Sequence, residues 1–155
     1  MENATSVLTD SVRQALLLLV VANQVELEAR YQQVLRELLF NGRSTMRPNR
    51  LKQIAADEVE SFKRFLAEPQ PSAVGRGAAL HQAGLSEQPV MRLGATTRHF
   101  LVGQLPPEQL LPALALIDTY QEQIVQGFVQ SLEKAVFTVQ EMSRQAYGRV
   151  VTREK

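Results

Sequence analysis

The two histidines of the chain, His81 and His99, both fall in one run, GRGAALHQAGLSEQPVMRLGATTRHFL, from Gly75 to Leu101. Imidazole can ligate haem iron or a transition metal, or take part in proton and phosphoryl transfer near neutral pH. His81, behind Gly77-Ala78-Ala79, and His99 are therefore the candidate cofactor ligands, and haem is the cofactor they would hold. Neither has an acidic pair or a second histidine three or four positions away, so no metal is assigned. A phosphoacceptor histidine would be followed at once by an acid, whereas Gln82 and Phe100 follow here. There is no Gly-x-Ser-x-Gly elbow, phosphate-cradling glycine loop or kinase signature, so no catalytic residue is assigned and the chain is read as not an enzyme. The absence of cysteine excludes a disulfide framework, a thiolate nucleophile and a cysteine-based zinc site.

The same run carries a second kind of chemistry. AALHQAGLSEQPVMRL resembles the helix–turn–helix of bacterial repressors at Ala79 or Leu80, Gly84, Leu85, Ser86, Val90 and Arg92. That resemblance implies a DNA-binding regulator, and three features oppose it. Leu80 stands where close helix crossing asks for a small side chain, and Pro89 takes a first-turn position where polar contacts to DNA are expected. Seventeen basic and sixteen acidic residues leave a net charge of +1, which draws the protein neither to nucleic acid nor to a membrane surface.

The elements that must position these residues are helices. At 155 residues and 45% hydrophobic content the chain suits a single domain with a real core. Strand-like alternation is nearly absent, which predicts an all-α fold. The longest apolar run, Ala15 to Ala22, is far shorter than the roughly 20 residues of a bilayer span, and no basic region precedes it. A cytoplasmic protein with no membrane partner is the expectation.

Thr9 or Asp10 is expected to cap a first helix whose stripe, Val12, Leu16, Leu19, Leu27, Tyr31, Val34 and Leu38, is interrupted at Asn23 and stops near Asn41-Gly42. Such a helix would be about 45 Å long, against a diameter of about 40 Å for a globule of this size, so it must bend or project. Pro48 opens a second helix with Leu51, Ile54, Ala55, Phe62, Phe65 and Leu66 on its apolar face, ended by EPQPS. A short third helix runs from Ala73 to Ala83, Gly84 terminates it, and Ser86 caps a fourth that reaches Val102. From Pro107 to Gly148 the pattern is helical, with Pro112 expected to kink or restart it and a stripe through Leu110, Leu114, Ile117, Ile124, Phe128, Leu132, Ala135 or Val136, Val139 and Met142. About 40 helical residues would reach about 60 Å, so this helix should leave the domain.

Charged clusters are read as solvated faces. Arg43, Arg47, Arg50 and Lys52 form a basic run that would be a solvated loop and helix start or a dock for an acidic partner, and Glu58 and Glu60 with Lys63 and Arg64 are expected on an exposed face.

The order of elements resembles the globin-related, usually haem-free N-terminal sensory domains of bacterial stress-signalling proteins, the stressosome Rsb-type sensors. The residues that carry it are Gly84, Ser86, Leu93, Arg98 and Leu101 in GLSEQPVMRLGATTRHFL, and then LALIDTYQEQIVQGFVQSLEKA as the long helix, within residues 73–150. The resemblance implies a globin-like helical bundle with long N- and C-terminal helices, a homodimer without enzyme activity, and a signal passed to a downstream output domain or protein partner. Residues 1–155 are then one sensory domain, with 143–155 the start of a linker. The junction residues Gly84, Ser86, Leu93 and Phe100 are expected to line an interior pocket, and a haem-binding globin-type sensor is the alternative.

Overall fold

The computed structural model describes residues 2–40 and 46–153. Among them every regular element is a helix: α1 (Glu2–Ala22), α2 (Gln24–Phe40), α3 (Pro48–Ala67), α4 (Val74–Gln82), α5 (Glu87–Val102) and α6 (Pro107–Arg153). The fold is an all-α helical bundle. The expected stop at Asn41-Gly42, Arg43 of the basic run and the last two residues of the expected linker lie outside the described residues. No described helix is long and apolar enough to cross a membrane.

The first helix is longer than expected and jointed. It starts at Glu2, not at Thr9 or Asp10, because no glycine or proline precedes those residues and an outward-facing Asp10 need not act as a cap. It breaks at Asn23, whose side-chain amide donates to the Leu19 carbonyl at 2.8 Å and to Gln104 at 3.3 Å. Backbone bonds from Asn23 to Leu19 and from Leu27 to Asn23 carry the chain on into α2. The buried rows are Val12, Leu16 and Val20, then Leu27, Tyr31 and Leu35. They advance strictly by fours, so Val20 and Leu35 take the core positions expected for Leu19 and Val34, which are half-buried.

Pro48 stands at the start of α3, whose buried face matches the expected apolar residues and adds Val59 and Glu58. Arg13 of α1 donates from one guanidinium nitrogen to the carbonyls of Phe65 and Glu68, each at 3.1 Å, satisfying acceptors at the C-terminal end of α3. The turn after α4 is the one the sequence predicts. Gly84 adopts a φ of +94°, its N–H bonds the His81 carbonyl, and the Leu85 N–H reaches back to Leu80. This is a Schellman termination, with Leu80 and Leu85 both buried in the core. Ser86 occupies the N-cap position of α5 but its hydroxyl makes no capping bond.

α6 runs through Pro112 as one helix of 47 residues, about 70 Å at 1.5 Å per residue. Proline near the start of a helix forfeits one backbone bond, here to the Glu108 carbonyl, and is tolerated. Its buried face is Ala113, Leu116, Ile117, Tyr120, Ile124 and Phe128. Leu110 and Leu114, expected there, are half-buried. From Glu133 to Thr152 every side chain is exposed except half-buried Glu141, so the distal part of α6 stands off the bundle.

α4 lies along α6, while α2 packs on α3 and α5, and α1 on α3 and α6. The α4–α6 crossing is backbone on backbone. A Cβ at Gly77 would fall on the Ile124 carbonyl, and one at Gly127 on the Val74 carbonyl, so both positions demand glycine. Gly75, two residues before Gly77, faces open space. Gly77→Ala and Gly127→Ala should therefore each cost about 1–3 kcal/mol or more in urea unfolding, whereas Gly75→Ala should leave stability unchanged or raise it by up to about 1 kcal/mol.

Candidate functional site

The most organised polar structure in the bundle is centred on Glu58. It sits in the apolar face of α3, four residues after Ile54 and four before Phe62, and is 3% exposed. The expectation that it belongs to a solvated face is overturned, because i and i+4 share one face of a helix and here that face is the core. Its partners come from two other helices. Arg76 of α4 donates from Nε to Oε2 at 2.9 Å, and the Tyr120 hydroxyl of α6 donates to Oε1 at 2.8 Å. Arg76 also donates to the Ile54 carbonyl at 3.1 Å, and the Tyr120 oxygen lies 3.1 Å from Ser61 Oγ. The Tyr120 ring is held edge-on by Phe62 and Phe65, with centroids at 4.9 and 5.1 Å.

A second buried pair lies near the first. The Tyr31 hydroxyl of α2 bonds the Thr97 hydroxyl of α5, and Thr97 donates to the Leu93 carbonyl at 3.1 Å. Burial, and then the Glu58 charge, push both Tyr31 and Tyr120 well above the usual phenol range. Every buried side-chain polar atom in the described residues has a partner. Six polar side chains thus make two buried groups, Glu58, Arg76, Tyr120 and Ser61 joining α3, α4 and α6, and Tyr31 with Thr97 joining α2 and α5.

Over this cluster opens a groove of about 400 Å³ between α3 and α4, lined among others by Ser61, Arg64, Phe65, Ser72, Gly75 and Arg76. Its floor residues Ser61 and Arg76 are members of the Glu58 network. A second groove, about 370 Å³, lies between α2 and α5 and includes Arg30, Arg92, Thr96 and His99.

The residues singled out by sequence are dispersed. His81 is half-buried between α4 and α6, with Nδ1 2.7 Å from Ser131 Oγ and its ring edge-on to Phe128. His99 is exposed in the α2–α5 groove, so the two imidazoles face different interfaces. Gly84 and Ser86 form an exposed corner, and Leu93 and Phe100 are core residues, Phe100 lying under the Arg30 guanidinium at 4.9 Å. The structure does not gather these four around one cavity. α4 packs along α6, and α5 on α2 and α6, so the two helices of the repressor-like run are held by other partners. Pro89 and Val90, in the first turn of the would-be reading helix, face the core.

Sequence reasoning missed Glu58, Arg76, Tyr120, Tyr31 with Thr97, and the Gly77–Gly127 crossing. A signal for Glu58 existed, since it is a lone carboxylate in register with Leu51, Ile54, Phe62 and Phe65. Nothing local marked Arg76 as its partner. Against known proteins, the chain matches no family model, no curated protein and no solved structure.

Two measurements check the network. Arg76→Leu leaves Glu58 buried without its cation and should cost about 3–5 kcal/mol in denaturant unfolding, with Glu58→Gln restoring part of that loss in the double variant. The tyrosines make stability fall in base. Each stays protonated in the folded state above the pH at which the unfolded chain ionises, near its ordinary value of 10.0. Each should therefore remove about 1.4 kcal/mol per pH unit above that point, and Tyr31→Phe should halve the slope.

Proposed function

We propose that this domain is a non-enzymatic, cytoplasmic sensory module of bacterial signal transduction, related to the globin-like sensors of stress-signalling proteins. It forms a homodimer through α1 and α6 and relays a signal along α6 to an output domain or protein partner. The observation that carries this reading is the distal half of α6. Val139, Met142 and Tyr147 are 66%, 64% and 73% exposed there, and Val136, Ala146 and Val150 share their side of the helix. At 100° per residue these positions span an arc of about 140°.

That face is wider than the seam of a two-stranded coiled coil and suits contact with more than one helix. α1 offers a second exposed apolar set in Leu8, Leu18 and Val21. Two α6 helices flanked by two α1 helices would bury both sets. The net charge of +1 opposes association of two copies only weakly. Paired long helices can pass a small shift or rotation to whatever they join, which is the relay chemistry this reading needs.

Sedimentation velocity at micromolar concentration should give a dimer. Val139→Glu and Met142→Glu should each make it monomeric while leaving the helical signal and the melting temperature of the bundle within a few degrees. A monomeric parent chain would sink the reading.

A further inference from the structure

The α3–α4 groove contains the parts of a ligand site. The side chain of Arg64, on its α3 wall, makes no hydrogen bond or ion pair with any described residue. Arg76, on its α4 wall, uses Nε for Glu58 and Nη2 for the Ile54 carbonyl. Its Nη1 has no protein partner and is not sealed from solvent, since no buried side-chain nitrogen is unpaired among the described residues. The guanidinium therefore turns one edge inward to Glu58 and leaves a donor toward the groove. Of the acids on the rim, Glu60 is paired with Lys63 at 3.0 Å, while Asp57 accepts from the Gln53 amide at 2.8 Å and keeps its charge.

Two guanidinium groups on opposite walls, with the Ser72 hydroxyl beside them, match the donor pattern that recognises a planar or tetrahedral oxyanion. Pro69 and Pro71 restrict the backbone of the segment that carries Ser72. Phe65 supplies an apolar wall, and the space above Gly75 is open. A volume of about 400 Å³ exceeds an inorganic ion and leaves room for a small carbon skeleton.

We propose that this groove is the effector site of the domain and binds a small organic oxyanion, a carboxylate or a phosphate ester, between Arg64 and Arg76. The proposal rests on the sensory reading and names the class of ligand sensed. A bound anion would not displace Glu58, whose burial without Arg76 is too costly. It would add to the outer edge of Arg76 and staple α4 to α3. Because α4 is locked to α6 at Gly77 and Gly127, the staple acts on α6 as well.

The test is a thermal-shift and calorimetric titration of the full chain with succinate, with glycerol 3-phosphate, and with sodium chloride at matched ionic strength. Saturable stabilisation by either organic anion, and not by chloride, is expected. Response to succinate alone identifies a carboxylate site, and response to glycerol 3-phosphate alone a phosphate site. Arg64→Gln, an exposed change outside the Glu58 network, should weaken binding about tenfold or more with little change in basal melting temperature. Gly75→Leu should fill the groove and abolish binding in a chain that still folds. No saturable response to either anion, or a response that survives both substitutions, overturns the site. Sedimentation without anion is read separately: a monomer that still binds with the expected variant pattern would sink the relay reading and leave the site standing.

Discussion

A carboxylate in the middle of an apolar helix face must be matched by donors or it unfolds what surrounds it. Glu58 is that carboxylate, and its two oxygens are met by Arg76 and Tyr120 from two separate helices. The desolvation of such a charge is worth several kcal/mol, recovered only when the donors stand at hydrogen-bond distance. α4 and α6 thus cannot slide or rotate on α3 without losing contacts that nothing else in the core replaces. The aromatic frame of Phe62 and Phe65 around Tyr120 fixes the remaining freedom of that hydroxyl.

The glycine crossing acts on the same helices in a different way. Where Gly77 and Gly127 meet the opposing backbone, α4 and α6 touch without intervening side chains and behave as one unit. Contact of this kind is steep with distance, because a packed interface has few intermediate arrangements. The polar latch on α3 is directional and the glycine contact is steric. Together they mean that a change at the α3–α4 surface is felt by α6, and α6 is the helix that extends beyond the bundle.

This arrangement also separates two halves of one helix. The proximal half of α6 carries Ala113, Ile117, Tyr120, Ile124 and Phe128 into the core, and the distal half carries Val136, Val139 and Met142 to the surface. Both have apolar residues at helical spacing. What differs is whether α1, α4 and α5 lie over them, and the bundle ends near Leu132, which is only half-buried.

Helical class, the proline start of α3, the glycine end of α4 and the extended length of α6 were all legible in the chain, because each depends on residues within a few positions of one another. Asn23 could be read as an interruption, although whether the helix bent or projected could not. The rotational setting of each helix was less legible, since a stripe read by threes and fours tolerates a shift of one residue; hence Val20 for Leu19 and Leu35 for Val34. His81 and His99 drew attention as rare, reactive types, yet their surroundings are set by Ser131, Phe128 and the α2 wall, far away in sequence. The pairing of Glu58 with Arg76 and Tyr120, and of Gly77 with Gly127, was decided only in three dimensions. Local sequence determines which backbone conformation is cheap, whereas burial and close approach depend on which helices meet, a property of the whole chain packing at once.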